Sequence, residues 1–355
     1  MREKKSGRID SLQALRILAF GEIFLCHCEW KYMTGALGVA VFIMLSGFCM
    51  QLGYDSRSIE KLSWKQCIVG GYQKIAKLYP LHILMLLYVL WKKGFRWNPQ
   101  ILSQIFLLQS WCPDGDIFFG YNGVAWYLST YLVICVASPF ILAWMNRCKE
   151  TKQVMLRCVF IFVVMILVAV IGSMPFAEGI HRTFTQWLTY ICPLYRFGDF
   201  TVGVGLAILM KPILQGQRES RFQNAKWIYT LFELGMFVLV AFSMQMYYVK
   251  KLPEGIWYTV LFMPVSAVAI YLFARKLGFI TKWLTNPLFI WLGNMSGYMF
   301  LIHQVCIGQV IGYFREHEIR HGYYYGILLS FVITLAIACV YRLVYDWLQK
   351  RCRRR

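Results

Sequence analysis

Ten apolar stretches, each long enough to cross a lipid bilayer when tilt is allowed, constrain this chain more than any other feature. Of its 355 residues 59% are hydrophobic, a larger share than in soluble domains. Backbone groups inside a bilayer must hydrogen-bond within the chain, which favours helices. The sequence therefore predicts an all-α polytopic membrane helical bundle with spans at 11–30, 36–54, 76–92, 124–145, 154–173, 197–211, 227–249, 256–274, 284–312 and 323–348.

The charges of the chain agree with one orientation of these spans. There are 37 Lys plus Arg residues against 17 Asp plus Glu, a net charge of +20. With an inner N-terminus, most basic residues fall in cytoplasmic segments, as the positive-inside rule requires. Counting the shorter run 101–112 as a span would break this pattern, so we predict a re-entrant or interfacial segment there. We expect both termini to lie in the cytoplasm. We attribute the net positive charge to interaction with anionic lipids of the bilayer, and we expect no nucleic-acid partner.

Nothing in the sequence divides the chain. We find no linker, low-complexity tract or internal repeat, and residues 1–355 are predicted to form one transmembrane domain. The twelve cysteines lack the spacing of a metal site, so we expect no metal and interpret them as small buried hydrophobic residues. Cys112 and Cys192 fall in predicted outer segments, which leaves a disulfide between them as an alternative.

Two ionisable residues lie in the first apolar stretch, where such groups are expensive and usually functional. On one helix, Arg16 and His27 lie about 20° apart around the axis and about 16 Å apart along it. At this distance the two side chains do not touch each other, but one extended molecule could reach both. Histidine suits proton transfer near neutral pH, so activity is expected to fall as His27 becomes protonated below neutrality.

Several short motifs follow one another in a recognisable order. They are DSLQALR (10–16), CHC (26–28), GVAVFIMLSGF (38–48), KIAKLYP (74–80), LQSW (108–111), NGVAWYLS (122–129) and LGNMSGYMFLIHQ (292–304). Each motif is weak alone, but their number and order are specific. Together they resemble the acyltransferase-3 family of bacterial integral-membrane O-acyltransferases, over most of the chain.

The resemblance implies a reaction and roles for the matching residues. An acyl group, usually acetyl in this family, would pass from cytoplasmic acyl-CoA to a hydroxyl outside the bacterial cytoplasmic membrane, with His27 as general base. Arg16 would assist catalysis and, with Lys74 and Lys77, bind the phosphates of coenzyme A. The acceptor would be a sugar of a surface polysaccharide or of a lipid-linked glycan. The other matching residues are expected to line the site: Ser46, Trp126, Ser129, Ser296, Tyr298 and His303.

Two departures from the family pattern bear on these roles. The family usually carries arginines where this chain has Lys74 and Lys77, which keeps the charge but loses the bidentate fork. Many members have a glutamate two residues after the serine of the tryptophan motif, where Tyr131 stands here. A non-catalytic homologue is therefore an alternative, and whether transfer is direct or passes through an acyl-histidine also stays open.

Several of these residues have a second explanation. Ser46 beside Gly47 is typical of close helix packing, while Trp126 and Tyr298 fit an aromatic belt at the membrane surface. Basic residues at a cytoplasmic boundary satisfy the positive-inside rule without binding a ligand. Glu22, deep in the first span, needs a partner from another helix.

One rival function belongs to a different class. A transporter or flippase in which Arg16, His27 and His303 form a proton or substrate path explains the buried ionisable residues equally well. It does not explain the ordered motifs, and many transporters are built from internal repeats, which we do not find. We therefore predict an acyl-CoA-dependent O-acyltransferase and keep the transporter as the alternative.

Overall fold

The computed structural model describes residues 9–55, 63–175, 183–216, 226–319 and 321–353, and every regular element in these ranges is a helix. The longer helices are α1 (Ser11–His27), α2 (Ala36–Leu52), α3 (Trp64–Ile75), α4 (Tyr79–Lys92), α5 (Trp126–Asn146), α6 (Thr151–Ile171), α7 (Pro193–Leu214), α8 (Lys226–Val249), α9 (Met263–Arg275), α10 (Pro287–Glu316) and α11 (Gly322–Arg353). Short helical turns lie at Gln100–Ile105, Gln109–Trp111, Gly115–Phe118, Gly123–Ala125, Phe184–Gln186, Trp187–Ile191, Glu254–Tyr258, Val260–Phe262 and Phe279–Leu284.

The predicted all-α polytopic class is confirmed, but the predicted count of ten spans is not. Among the described residues, six helices are long and apolar enough to cross a bilayer: Gly123–Asn146, Thr151–Ile171, Phe184–Leu214, Lys226–Val249, Pro287–Glu316 and Gly322–Cys352. A seventh is added if α3 and α4, which meet at 66°, form one broken span. Two predicted spans are shorter apolar helices, Ala36–Leu52 and Val260–Arg275. The run 101–112 forms two short turns and no continuous helix.

Glycines let the central helices approach until their backbones touch. A Cβ at Gly203 of α7 would lie 2.0 Å from the Met44 carbonyl oxygen of α2, and one at Gly293 of α10 would lie 2.0 Å from the Gln13 carbonyl oxygen of α1. Small residues at helix crossings are the usual means of packing helices in a membrane. Gly47 makes the same approach to Phe200, which supports the packing explanation of that motif.

Gly203→Ala is expected to lower the stability of the fold by about 1–3 kcal/mol, the usual cost of overpacking a close contact. The added methyl group would meet a carbonyl oxygen of α2, so α2 and α7 would have to move apart. The measurement is the midpoint of thermal unfolding in detergent. Gly312→Ala in α10 is the matched control, because a Cβ there meets nothing within 4 Å. Equal midpoints for the two variants would contradict the prediction.

Glu22 has a structural partner that explains its depth in the first span. Its carboxylate accepts hydrogen bonds from the backbone N–H groups of Thr34 (3.1 Å), Gly35 (2.8 Å) and Gly38 (3.0 Å), and from the Thr34 hydroxyl (3.2 Å). These groups surround the start of α2, whose N-terminal N–H groups need acceptors and favour negative charge. The carboxylate therefore fixes α2 beside α1 and has no contact with His27 among these bonds.

Candidate functional site

The centre of the candidate site is a pair of histidines from α1 and α10. His303 Nε2 lies 3.2 Å from His27 Nδ1, and the ring centroids are 4.9 Å apart in an edge-on arrangement. His303 is fully buried, whereas His27 is partly exposed. Residues that are 276 positions apart in sequence thus form one unit.

The neighbouring carbonyl oxygens indicate which nitrogen of each histidine ring carries a hydrogen. His303 Nδ1 lies 2.7 Å from the Phe300 carbonyl oxygen, and His27 Nδ1 lies 2.9 Å from the Ile23 carbonyl oxygen. A carbonyl only accepts, so both Nδ1 atoms carry hydrogen in the neutral rings. His303 Nε2 then accepts from His27 Nδ1–H, which it shares with Ile23. We assign the remaining lone pair to His27 Nε2, the position that a general base needs.

Aromatic rings surround the buried histidine. The ring of Phe20 meets His303 edge-on with centroids 5.5 Å apart, and Phe300 and Phe24 lie at 5.6 and 6.3 Å. These rings pack His303 in an apolar shell, so its orientation is fixed by packing and by the bond to Phe300. His27 in turn takes its orientation from His303 and Ile23.

A cavity of about 330 Å³, which we call the inner cavity, collects six of the predicted site residues. They are Arg16, Ser46, Lys74, Lys77, Ser296 and Tyr298. Phe300 also lines the cavity, and its ring contacts His303, which connects the cavity to the histidine pair. His27, His303, Trp126 and Ser129 are not among the lining residues.

Arg16 and His27 both lie on the continuous helix α1, as predicted. Eleven residues of α-helix separate them by about 16 Å along the axis. Arg16 is half-buried, and its guanidinium Nη1 donates to Gln13 Oε1 at 3.4 Å. The helix therefore carries an arginine at one level of the bundle and a histidine at another.

Lys74 and Lys77 are both exposed and both line the inner cavity, and Lys74 also bonds to a second helix. Lys74 Nζ donates to Ser138 Oγ at 2.7 Å and to the Cys135 carbonyl oxygen at 3.4 Å, both on α5. These bonds fasten α3 to α5, so part of the hydrogen-bonding capacity of Lys74 serves the fold.

The serines bond to backbone carbonyl groups of their own helices or of neighbouring turns. Ser46 Oγ donates to the Phe42 carbonyl oxygen at 2.7 Å, and Ser296 Oγ donates to the Gly293 carbonyl oxygen at 2.8 Å. Ser129 donates to the Leu107 carbonyl oxygen at 2.5 Å and lies 2.6 Å from the Ser110 hydroxyl. The LQSW and NGVAWYLS motifs therefore lock the run 101–112 onto α5.

Of the two predicted aromatic site residues, Tyr298 lines the inner cavity and Trp126 does not. Trp126 is buried against Tyr190, with ring centroids 4.8 Å apart, and does not reach the cavity. Tyr298 lines the cavity and packs against Tyr341 at 5.6 Å. Tyr131, one of the two expected departures from the family pattern, also lines the cavity. The inner cavity thus presents a phenol where the family pattern led us to expect a carboxylate.

A buried ion pair, absent from the sequence-based predictions, lies on α7. Arg196 Nη2 and Asp199 Oδ2 are 2.7 Å apart, and both side chains are fully buried. Arg196 also donates to the Thr259 hydroxyl, which donates to the Thr189 carbonyl oxygen at 2.6 Å. Opposite charges at i and i+3 in an apolar helix are the signal that identifies such a pair in a sequence.

The described residues contain no cluster of three His, Cys, Asp or Glu side chains that could hold a metal ion. All twelve cysteines are free, so the alternative of a disulfide between Cys112 and Cys192 is not realised.

Comparison with known proteins identifies the family of this chain. A family model described as an acyltransferase domain matches residues 9–343, nearly the whole chain. The chain belongs to the acyltransferase-3 family. The predicted resemblance is confirmed, and the family and the apolar helices together identify a membrane protein of the acyltransferase class.

The individual relatives are distant. Acyltransferase MdmB of Streptomyces mycarofaciens is 22% identical over 239 residues, which is 58% of this chain and 58% of that protein. A provisionally named O-acetyltransferase of Staphylococcus aureus strain COL is 23% identical over 358 residues, which is 94% of this chain and 56% of that protein. The chain thus spans a little over half the length of the curated relatives it matches. No solved structure matches it.

Proposed function

We propose that this protein transfers an acyl group, acetyl in the first instance, from cytoplasmic acyl-CoA to a sugar hydroxyl on the opposite side of the bacterial cytoplasmic membrane. The observation that carries the proposal is the His27–His303 pair, in which the lone pair of His27 Nε2 is available to take a proton from the hydroxyl of the acceptor substrate. The pair adjoins, through Phe300, a cavity lined by Arg16 and two lysines. Both termini are proposed to lie in the cytoplasm.

The reaction needs one proton to move twice. His27 Nε2 takes the proton of the acceptor hydroxyl as its oxygen attacks the thioester carbonyl carbon. The new C–O ester bond forms, the C–S bond breaks, and the thiolate of coenzyme A receives the proton from the imidazolium. His303 stabilises that imidazolium because its Nε2 accepts from His27 Nδ1–H. His303 is thus a positioning residue that acts through His27.

The separation of Arg16 from His27 suits a long, threaded donor. A phosphate group held near Arg16 leaves about 16 Å for the pantetheine arm to reach the histidine along α1. The inner cavity between them is lined by Phe42, Tyr127 and Phe300, which match an apolar arm, and by hydroxyl groups. Lys77 also lines this cavity and offers a positive charge to the phosphates of the donor.

The acceptor side of the site carries exposed aromatic rings immediately after His27. Trp30 stacks on Tyr323 with centroids 6.4 Å apart and an interplanar angle of 20°, and Tyr324 packs edge-on against Trp30 at 6.3 Å. The Tyr323 hydroxyl donates to the Cys28 carbonyl oxygen at 3.0 Å, which holds the cluster next to the end of α1. Flat rings with polar rims match the face of a sugar ring, so we propose that this cluster binds the acceptor.

Trp30→Ala is expected to raise the KM for a glycan acceptor about tenfold, since the loss of one stacking surface costs about 1.5 kcal/mol. The KM for acetyl-CoA should not change, because the donor binds at the other end of α1. Steady-state kinetics with each substrate varied in turn provides the test. Trp97→Ala is the matched control, since Trp97 is also an exposed tryptophan on the predicted outer side. An equal effect of both variants would indicate an aromatic belt and no acceptor site.

The proposed function is tested by thiol release from acetyl-CoA with the purified protein in detergent. Release that depends on an added cell-envelope glycan, with acetyl groups appearing on that glycan, is the expected result. Binding of acetyl-CoA is measured in parallel by calorimetry. If several glycans are tested and neither thiol release nor acetyl-CoA binding is detected, the proposal is refuted and the transporter is favoured.

A further inference from the structure

A second cavity, larger than the first, opens on the other side of Arg16. Its volume is about 830 Å³, within the range of about 300–1,000 Å³ typical of ligand sites. Arg16 and Asn294 line both cavities, so they form the boundary between them. We call the larger space the outer vestibule of the donor path; the lining residues that bear on its ligand are Leu12, Gln13, Arg16, Lys211, Leu214 and Gln215.

The lining of this vestibule matches one class of ligand. Two cations, Arg16 and Lys211, face it, and none of its described lining residues is acidic. Amide side chains of Gln13 and Gln215 offer donors and acceptors, and leucines provide apolar wall. Cations attract phosphate, amides pair with the edges of a base, and apolar walls cover its face. A phosphorylated nucleotide has all three features.

We infer that the outer vestibule holds the nucleotide end of the acyl donor, with Lys211 binding its phosphates and Arg16 placed where the pantetheine arm passes into the inner cavity. The inference rests on the proposed function and assigns to Lys211 the role that the sequence assigned to Lys74 and Lys77. Lys74 already bonds to Ser138 and Cys135 on α5. The inner cavity, of about 330 Å³, has less than half the volume of the vestibule.

The position of Lys211 also has a simpler explanation. It lies in the last turn of α7 and is exposed, as expected of a lysine that stabilises a helix C-terminus or faces anionic lipid. Lys282, on the short helix Phe279–Leu284, is equally exposed but lines neither cavity. The two lysines therefore differ in their relation to the vestibule and make a matched pair.

The test is calorimetric titration of the full chain in a neutral detergent with three probes: coenzyme A, adenosine 3′,5′-bisphosphate and pantetheine. Lys211→Glu is expected to weaken binding of the first two at least about tenfold and to leave pantetheine unchanged, since charge-assisted bonds to phosphate are lost. Lys282→Glu should bind all three like the unaltered chain. Lys211→Arg should retain binding, because the charge is kept.

Other outcomes separate this inference from the proposed function. If coenzyme A binds the Lys211→Glu protein normally and Lys77→Glu weakens it, the nucleotide lies at the lysines of α3, so the inference is wrong and the proposed function stands. If coenzyme A does not bind the unaltered chain, both are overturned. Should Lys211→Glu fail to fold, Lys211→Gln removes the charge without reversing it, and normal binding of the bisphosphate by that variant overturns the inference.

Discussion

His27→Ala is expected to reduce the rate of acyl transfer by about 10²–10⁴-fold, the usual contribution of a general base. The substitution removes the Nε2 lone pair that we propose takes the proton of the acceptor hydroxyl. It leaves the partner His303 bonded to the Phe300 carbonyl oxygen, so the fold around the site should persist. The measurement is glycan-dependent thiol release from acetyl-CoA under saturating substrates, with donor binding followed by calorimetry.

The controls for this prediction separate chemistry from folding and binding. His317→Ala removes an exposed histidine at the end of α10, which stacks on Tyr313 with centroids 4.0 Å apart. Its activity should equal that of the unaltered protein. The Kd for acetyl-CoA should be unchanged in His27→Ala, because the cations of the donor path are intact. Full activity of His27→Ala with an authentic acceptor would show that the base lies elsewhere.

Asp199→Leu is expected to destabilise the protein by about 3–5 kcal/mol, because it leaves the Arg196 charge buried without its partner. Both side chains are fully buried, so water cannot replace the lost carboxylate. The double variant Arg196→Met plus Asp199→Leu should be much closer to the unaltered protein, since no unpaired charge remains. Unfolding in detergent micelles by a denaturant titration gives all three free energies of unfolding.

An exposed ion pair provides the comparison for this experiment. Arg342 Nε and Asp346 Oδ2 of α11 lie 3.8 Å apart, and their side chains are 40% and 42% exposed. Asp346→Leu should therefore change the free energy of unfolding by at most about 1 kcal/mol. If Asp199→Leu had a similarly small effect, or if the double variant were as unstable as the single one, the buried pair would not have the role assigned to it.

The family motifs predicted the positions of residues that lie on one helix. They were less informative about residues whose role depends on contacts with other helices. Arg16 and His27 were expected on one helix, and they lie on α1. Ser129 was expected to line the site, yet its hydroxyl bonds to Ser110 and Leu107 and lies outside the inner cavity. A hydroxyl in an apolar helix bonds to whichever carbonyl packs beside it, and the spacing of a motif does not reveal that neighbour.

The sequence by itself determined the helical class, the placement of Arg16 and His27 on one face, and the concentration of basic residues in predicted inner segments. These follow from composition and from the fixed geometry of a helix, which depend only on residues close together in the chain. Only the tertiary structure decided three contacts: His303 meets His27, Glu22 accepts hydrogen bonds from N–H groups at the start of α2, and Arg16 lies between two cavities. Such contacts arise from backbone approaches between distant helices, as at Gly293, and local periodicity carries no information about them.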